Sequence, residues 1–227
     1  MVKTLAAAAA VLTGLAAPAA EAAVVSFNFA GTISALISDD SSNTFSANFA
    51  VGDAVSGSFS FDTGAPGVEI FPGTLKTYAS SFTATVSGKA FSGTSEYRIF
   101  NDSGSGDGFS VINETGTYSA PVLGPLVART FFLQFLGMPI STLSDLDIIV
   151  DPSALFSLAT NVAPHGFRLD STLDNSFGGA YFNITSVTGV PEPGSWALAA
   201  LGLCVAGAAT RRPARRSLAG CAGTSTA

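Results

Sequence analysis

The chain has 227 residues, 47% hydrophobic and only 11% charged, with 16 acidic side chains against 10 basic ones and a formal net charge of −6. Outside an arginine group near the carboxyl end, so few Lys and Arg leave no cluster able to neutralise a phosphate backbone, so no nucleic acid is expected as a partner. One histidine, His165, and two cysteines, Cys204 and Cys221, exclude a His-rich zinc site and a disulfide-stapled fold.

In chain order, Lys3 gives a positive start, Leu5 to Ala17 an apolar run, and Ala20-Glu21-Ala22 a small-x-small site. This is the layout of a secretory signal peptide over residues 1–22, cut after Ala22 by signal peptidase once the secretion machinery has engaged it. A retained membrane helix is the alternative, disfavoured because the run is short and ends at Pro18. Setting aside Lys3, Glu21, Glu192 and the four arginines near the carboxyl end leaves 14 acidic residues against 5 basic in the body, a net charge of −9. Such a body suits cations or a hydrated matrix. Neither cysteine falls in it, so the exported domain, residues 23–189, has to be held by its core.

Val25, Phe27, Phe29, Gly31 and Ile33 fall on one face by strict alternation, which predicts a strand over Val24 to Ile33. The same period recurs in Phe45-Ala47-Phe49-Val51, in Val55-Gly57-Phe59-Phe61 and in Phe82-Ala84-Val86. Asp62 to Gly67 ends one run with turn residues, and Ser87-Gly88-Lys89 reads as a hairpin turn before Ala90-Phe91. Further strands are expected at Tyr97 to Phe100, Phe109 to Asn113, Arg129 to Leu136, Leu146 to Val150, Phe167 to Leu169 and Ala180 to Val187, with one or two helical turns in Ser153 to Thr160. Short strands, Gly-rich turns and many phenylalanines predict an all-β fold, an antiparallel β-sandwich of the jelly-roll kind. Most phenylalanines belong to its core, and Tyr78, Tyr97, Tyr118 and Tyr181 to its surface.

Catalytic patterns are scarce. His165 sits in Pro164-His165-Gly166, read as an exposed turn, with no Gly-x-Ser-x-Gly elbow in the chain. Gly104, Gly106 and Gly108 precede no Lys-Ser/Thr pair, so they form no nucleotide loop. Asp145 and Asp147, two apart on an expected strand, would share a face as glycosidase carboxylates do, yet such residues are ordinarily solvated turn formers. Asn101 to Gly108 offers oxygen ligands, Asp102 and Asp107 foremost, for a weak calcium ion. A hairpin connection is the simpler reading, because Ile112 stands where an EF-hand loop has its bidentate carboxylate. No other cofactor is expected.

At the carboxyl end, Val190-Pro191-Glu192-Pro193 precedes a charge-free run, Gly194 to Thr210, which spans about 25 Å as a helix, close to a bilayer's hydrocarbon core. Arg211, Arg212, Arg215 and Arg216 follow and would keep their end cytoplasmic, and residues 217–227 trail behind. The three-part pattern over residues 190–216 resembles the PEP-CTERM sorting signal of exported proteins from Gram-negative, exopolysaccharide-producing bacteria. That resemblance implies a membrane enzyme, an exosortase, as processing partner near Pro-Glu-Pro. It also implies a chain held in the inner membrane by a transmembrane helix before delivery to the cell surface or extracellular matrix. A plain tail anchor would need the apolar and basic parts only. The expected function is therefore a non-enzymatic structural or adhesive protein of that matrix, with exopolysaccharide as partner. A lectin-like module and a secreted glycan-active enzyme are the alternatives.

Overall fold

The computed structural model describes residues 23–38, 42–104, 106–114, 118–149, 151–159 and 165–191. Among the described residues ten strands follow one another: β1 (Val24–Ser38), β2 (Ala54–Asp62), β3 (Val68–Phe71), β4 (Leu75–Val86), β5 (Lys89–Phe100), β6 (Asp107–Asn113), β7 (Tyr118–Ser119), β8 (Leu126–Met138), β9 (His165–Ser171) and β10 (Phe177–Val190). A helical turn and a half, α1 (Pro152–Phe156), precedes β9; Asp151 caps it by accepting the Ser153 N–H at 3.1 Å, and Pro152 starts it.

The all-β expectation holds, but the architecture is a barrel and not a sandwich. Strand order runs β4-β2-β1-β10-β9-β8-β6-β5, and β5 pairs back onto β4 from Leu75↔Phe100 to Val86↔Lys89, closing eight antiparallel strands into a ring. β3 continues the line of β2 along β4 after the Asp62–Gly67 crossing, and β7 adds two residues beside β5. Alternation alone does not distinguish the two architectures, since both ask for one apolar face per strand; what decides is how far the strands bend and stagger. Here β1 and β10 shift register at Ala30/Gly31 and again at Ile33/Ala35, which coils the seam. Two glycines make the close approach: a Cβ on Gly31 would lie 2.2 Å from the Asn183 carbonyl oxygen, and one on Gly57 would meet the Phe29 ring at 2.6 Å.

Eight strands leave an interior that side chains just fill, and phenylalanine fills most of it. Phe82 stacks on Phe131 at 4.2 Å between ring centres, Phe61 on Tyr97 at 4.2 Å, and Phe109 on Phe135 at 4.7 Å. Offset pairs of this kind add about 0.5–1.5 kcal/mol each beyond burial. Both ends are plugged. At one, Phe45 and Phe49 drop into the core against Phe167 at 5.6 and 5.1 Å. At the other, the segment from Pro139 to Ala159 packs Leu143, Leu146, Ile149 and Phe156 against the core.

The Phe45–Val51 stretch is thus not a strand. Ala47 donates to the Asn43 carbonyl and Phe49 to the Phe45 carbonyl, both four residues back, so the two rings share a face through helical spacing. Phe-x-x-x-Phe is compatible with either period, and the plugging role selects the turn. Leu146 to Ile149 is likewise a succession of bends, with Leu146 buried between the exposed Asp145 and Asp147. Expected elements that held include the Ser87-Gly88 turn, with φ of 52° and 74° as a two-residue hairpin requires, and the hairpin that joins β5 to β6.

On one side of the wall the outward face carries hydroxyls. Across β1, β2 and β4, Ser26 faces Ser60, Ser60 faces Ser81 and Ser58 faces Thr83, with hydroxyl contacts of 2.9 Å in the last two pairs. A membrane-spanning barrel carries an apolar band there, and these strands carry hydroxyls.

Candidate functional site

The seam between the first and last strands sets the geometry of the carboxyl-terminal exit. β1 and β10 are antiparallel, so Val24, which faces Asp62 of β2, lies at the same end of the barrel as Val190, which faces Ser26. Ala23 is tied down there: its N–H donates to the Thr63 hydroxyl at 3.2 Å, and the Thr63 N–H donates to its carbonyl at 3.0 Å. On β10, Thr185 bridges the register shift through its hydroxyl to the Ala30 carbonyl at 3.2 Å. Ser186 to Gly189 are strand residues in this ladder, which runs past the Val187 at which the expected strand ends. It stops where proline enters, because Pro191 has no N–H to offer. Of the sorting residues, Val190 and Pro191 are exposed at this exit. Glu192, Pro193, the charge-free run, Arg211, Arg212, Arg215, Arg216, and Ala20 and Ala22 at the expected cleavage site lie outside the described residues.

Asp102 and Asp107 are placed differently from one another. Asp107 is fully buried at the start of β6; its Oδ1 accepts the Asp102 N–H at 2.8 Å and its Oδ2 accepts the Leu143 N–H at 2.8 Å. It therefore latches its own hairpin to the plugging segment. The Asp102 side chain is exposed, and its backbone is left-handed with φ of 49°. No group of three or more His, Cys, Asp or Glu side chains able to hold a metal ion occurs among the described residues. Replacing Asp107 by alanine leaves two partly buried N–H groups, those of Asp102 and Leu143, without their acceptor, and an unfolding free energy lower by about 1–2 kcal/mol is expected. Urea denaturation checks this, and an unchanged midpoint would show that the latch carries no load.

Asp145 and Asp147 form a turn: Asp145 Oδ1 accepts the Asp147 N–H at 2.9 Å, both carboxylates are exposed, and Asp147 stands 3.9 Å from the Lys76 ammonium. Three of the tyrosines expected at the surface are buried, because each hydroxyl finds a carbonyl inside. Tyr78 donates to Leu146 at 2.7 Å, Tyr97 to Ile149 at 3.3 Å and Tyr118 to Thr130 at 3.0 Å. Tyr181 is half-buried.

His165 is not an exposed turn residue. It opens β9, is 2% exposed, packs on Phe135 at 4.7 Å and accepts the Gln134 N–H on Nδ1 at 2.9 Å. Burial holds the imidazole neutral by lowering its pKa to about 4. By taking that N–H the ring fills a backbone hydrogen-bonding position of β8.

What the sequence reading missed is the participation of Val24 to Ser26 and Thr63 in the exit. Their signal was present only as ordinary strand and turn chemistry. Among the described residues no helix is long and apolar enough to cross a membrane. No curated protein and no solved structure matches the chain. A family model does match at the exit, the PEP-CTERM protein-sorting motif, over residues 189–216. The motif is one that directs export and hands its bearer to a membrane enzyme, the exosortase. The chain accordingly carries a PEP-CTERM protein-sorting motif at its carboxyl end, and the match begins in the last two residues of β10.

Proposed function

We propose that this is a non-enzymatic exported barrel, delivered by its sorting motif to the cell surface or exopolysaccharide matrix, where it serves as a structural or adhesive component. The observation that carries the reading is the position of the motif at the free end of β10, immediately after a closed domain that needs no disulfide. The hydroxyl-bearing outward face supports it, since a surface of Ser and Thr is compatible with neutral, hydrated polymer. Exposed turn positions for Asp145 and Asp147 support it over a glycan-active enzyme.

The test is fractionation with intact mass in cells that contain an exosortase. Wild-type protein is expected in the extracellular fraction without its apolar tail, while Glu192→Ala remains in the inner membrane with Cys204 and the arginines attached. Removing the exopolysaccharide should move the mature protein from the cell-associated to the soluble fraction. Wild-type protein found whole in the inner membrane would make the tail a simple anchor and overturn the reading.

A further inference from the structure

The seam that closes the barrel runs into the sorting motif itself. The matched region starts at residue 189, and Gly189 and Val190 are still paired with Phe27 and Ser26 of β1. The Phe27 ring also covers Gly189, lying 3.5 Å from where a Cβ would stand. Past Val190, Pro191, Glu192 and Pro193 precede the charge-free run that starts at Gly194. Fully extended, three residues reach about 10 Å.

We propose that Ser26 and Phe27 are positioning residues for the sorting reaction: they hold the amino-terminal side of the motif in the barrel wall, and the processing enzyme reaches its substrate when the last pairs of the β1–β10 seam open. The proposal rests on the reading that the motif is processed, and adds that the folded domain takes part in its own processing.

The reasoning is about backbone groups. An enzyme acting on an extended peptide commonly takes up substrate N–H and C=O groups as a strand edge would. Up to Val190 those groups belong to a ladder with β1. β1 is the less yielding of the two strands at this end, since it is also paired with β2 from Val24↔Asp62 onward and its start is knotted to Thr63. β10 pairs with β9 only over Phe177 to Phe182, so its last residues are secured through β1. Opening them is a local event, far less costly than unfolding the barrel.

Disulfides make the test, because residues 23–189 contain no cysteine. Facing residues of an antiparallel pair stand about 4.5–5.5 Å apart at Cα, within disulfide range. The full chain is followed by intact mass in exosortase-containing cells, in three forms: Ser26→Cys with Val190→Cys, Thr32→Cys with Asn183→Cys higher in the same seam, and an insertion of about eight Gly and Ser residues, about 15 Å on average, between Val190 and Pro191. The oxidised lower pair is expected to be processed about tenfold more slowly than the same chain held reduced, in keeping with blocked local opening. The upper pair should match wild type. The insertion should speed processing and make the lower disulfide irrelevant. Equal rates for oxidised and reduced lower pairs, with the insertion chain processed at the wild-type rate, overturn the clamp and leave the sorting reading intact. If neither wild type nor the insertion chain is processed, the sorting reading fails and the clamp with it.

Discussion

Replacing Phe167 by alanine is expected to lower the unfolding free energy by about 3–5 kcal/mol, the range for deleting a buried aromatic side chain that its surroundings cannot collapse around. Four rings meet this one: Phe91 at 4.8 Å, Phe49 at 5.1 Å, Phe45 at 5.6 Å and Phe182 at 5.8 Å. They come from strand, plug and opposite wall, so no single element can shift to fill the space. Phe45 is further pinned by Gly178, whose missing side chain it occupies at 2.3 Å. Denaturation of the isolated domain measures the effect through the midpoint at an unchanged slope. A loss below about 1 kcal/mol would mean that the plug relaxes into the cavity, contrary to the rigid packing that interiors show.

Acid should weaken the barrel through His165. A neutral imidazole accepts the Gln134 N–H, and a protonated one cannot. The folded pKa is about 4 against an ordinary 6.5, so the unfolded chain takes up the proton first. Stability from this residue is therefore complete above pH 6.5, declines as pH falls, and is exhausted once the folded pKa of about 4 is passed. The difference corresponds to about 3 kcal/mol. His165→Gln can keep an acceptor without titrating. The expected result is that the wild type loses about 3 kcal/mol more than this variant over that window, with carboxylate titration common to both. Parallel curves would show that the ring finds a place for its proton in the fold.

How legible all this was in the sequence differs from element to element. The β1, β2 and β4 strands could be read from alternating apolar residues because a barrel wall and a sandwich layer impose the same two-residue period. Closure could not, since it rests on β4 meeting both β2 and β5, a fact of stagger that no local pattern records. Phe45 and Phe49 misled because spacing by four satisfies a strand face and a helical face alike. The tyrosines misled for another reason: a hydroxyl suggests water until the fold supplies a carbonyl, as Leu146 does for Tyr78. His165 was misplaced by its neighbours Pro164 and Gly166, turn formers in isolation that here sit at the entrance to β9. The sorting motif was readable throughout because its information is linear: proline rigidity, absence of charge, then arginines.

The pairing of first strand with last has a consequence in time. An exported chain leaves the translocation channel amino end first, so β1 emerges with β2 available to it and waits for β10 until nearly the whole domain has passed. During that interval the Phe27 and Phe29 row lacks one neighbour, and the contact that ends the wait spans almost the full length of the domain, the kind that forms slowly. The next part of the chain to arrive is the charge-free run. A pause in export there would give the barrel time to close, and the order of residues along the chain would then ensure that what is handed on for sorting has already folded.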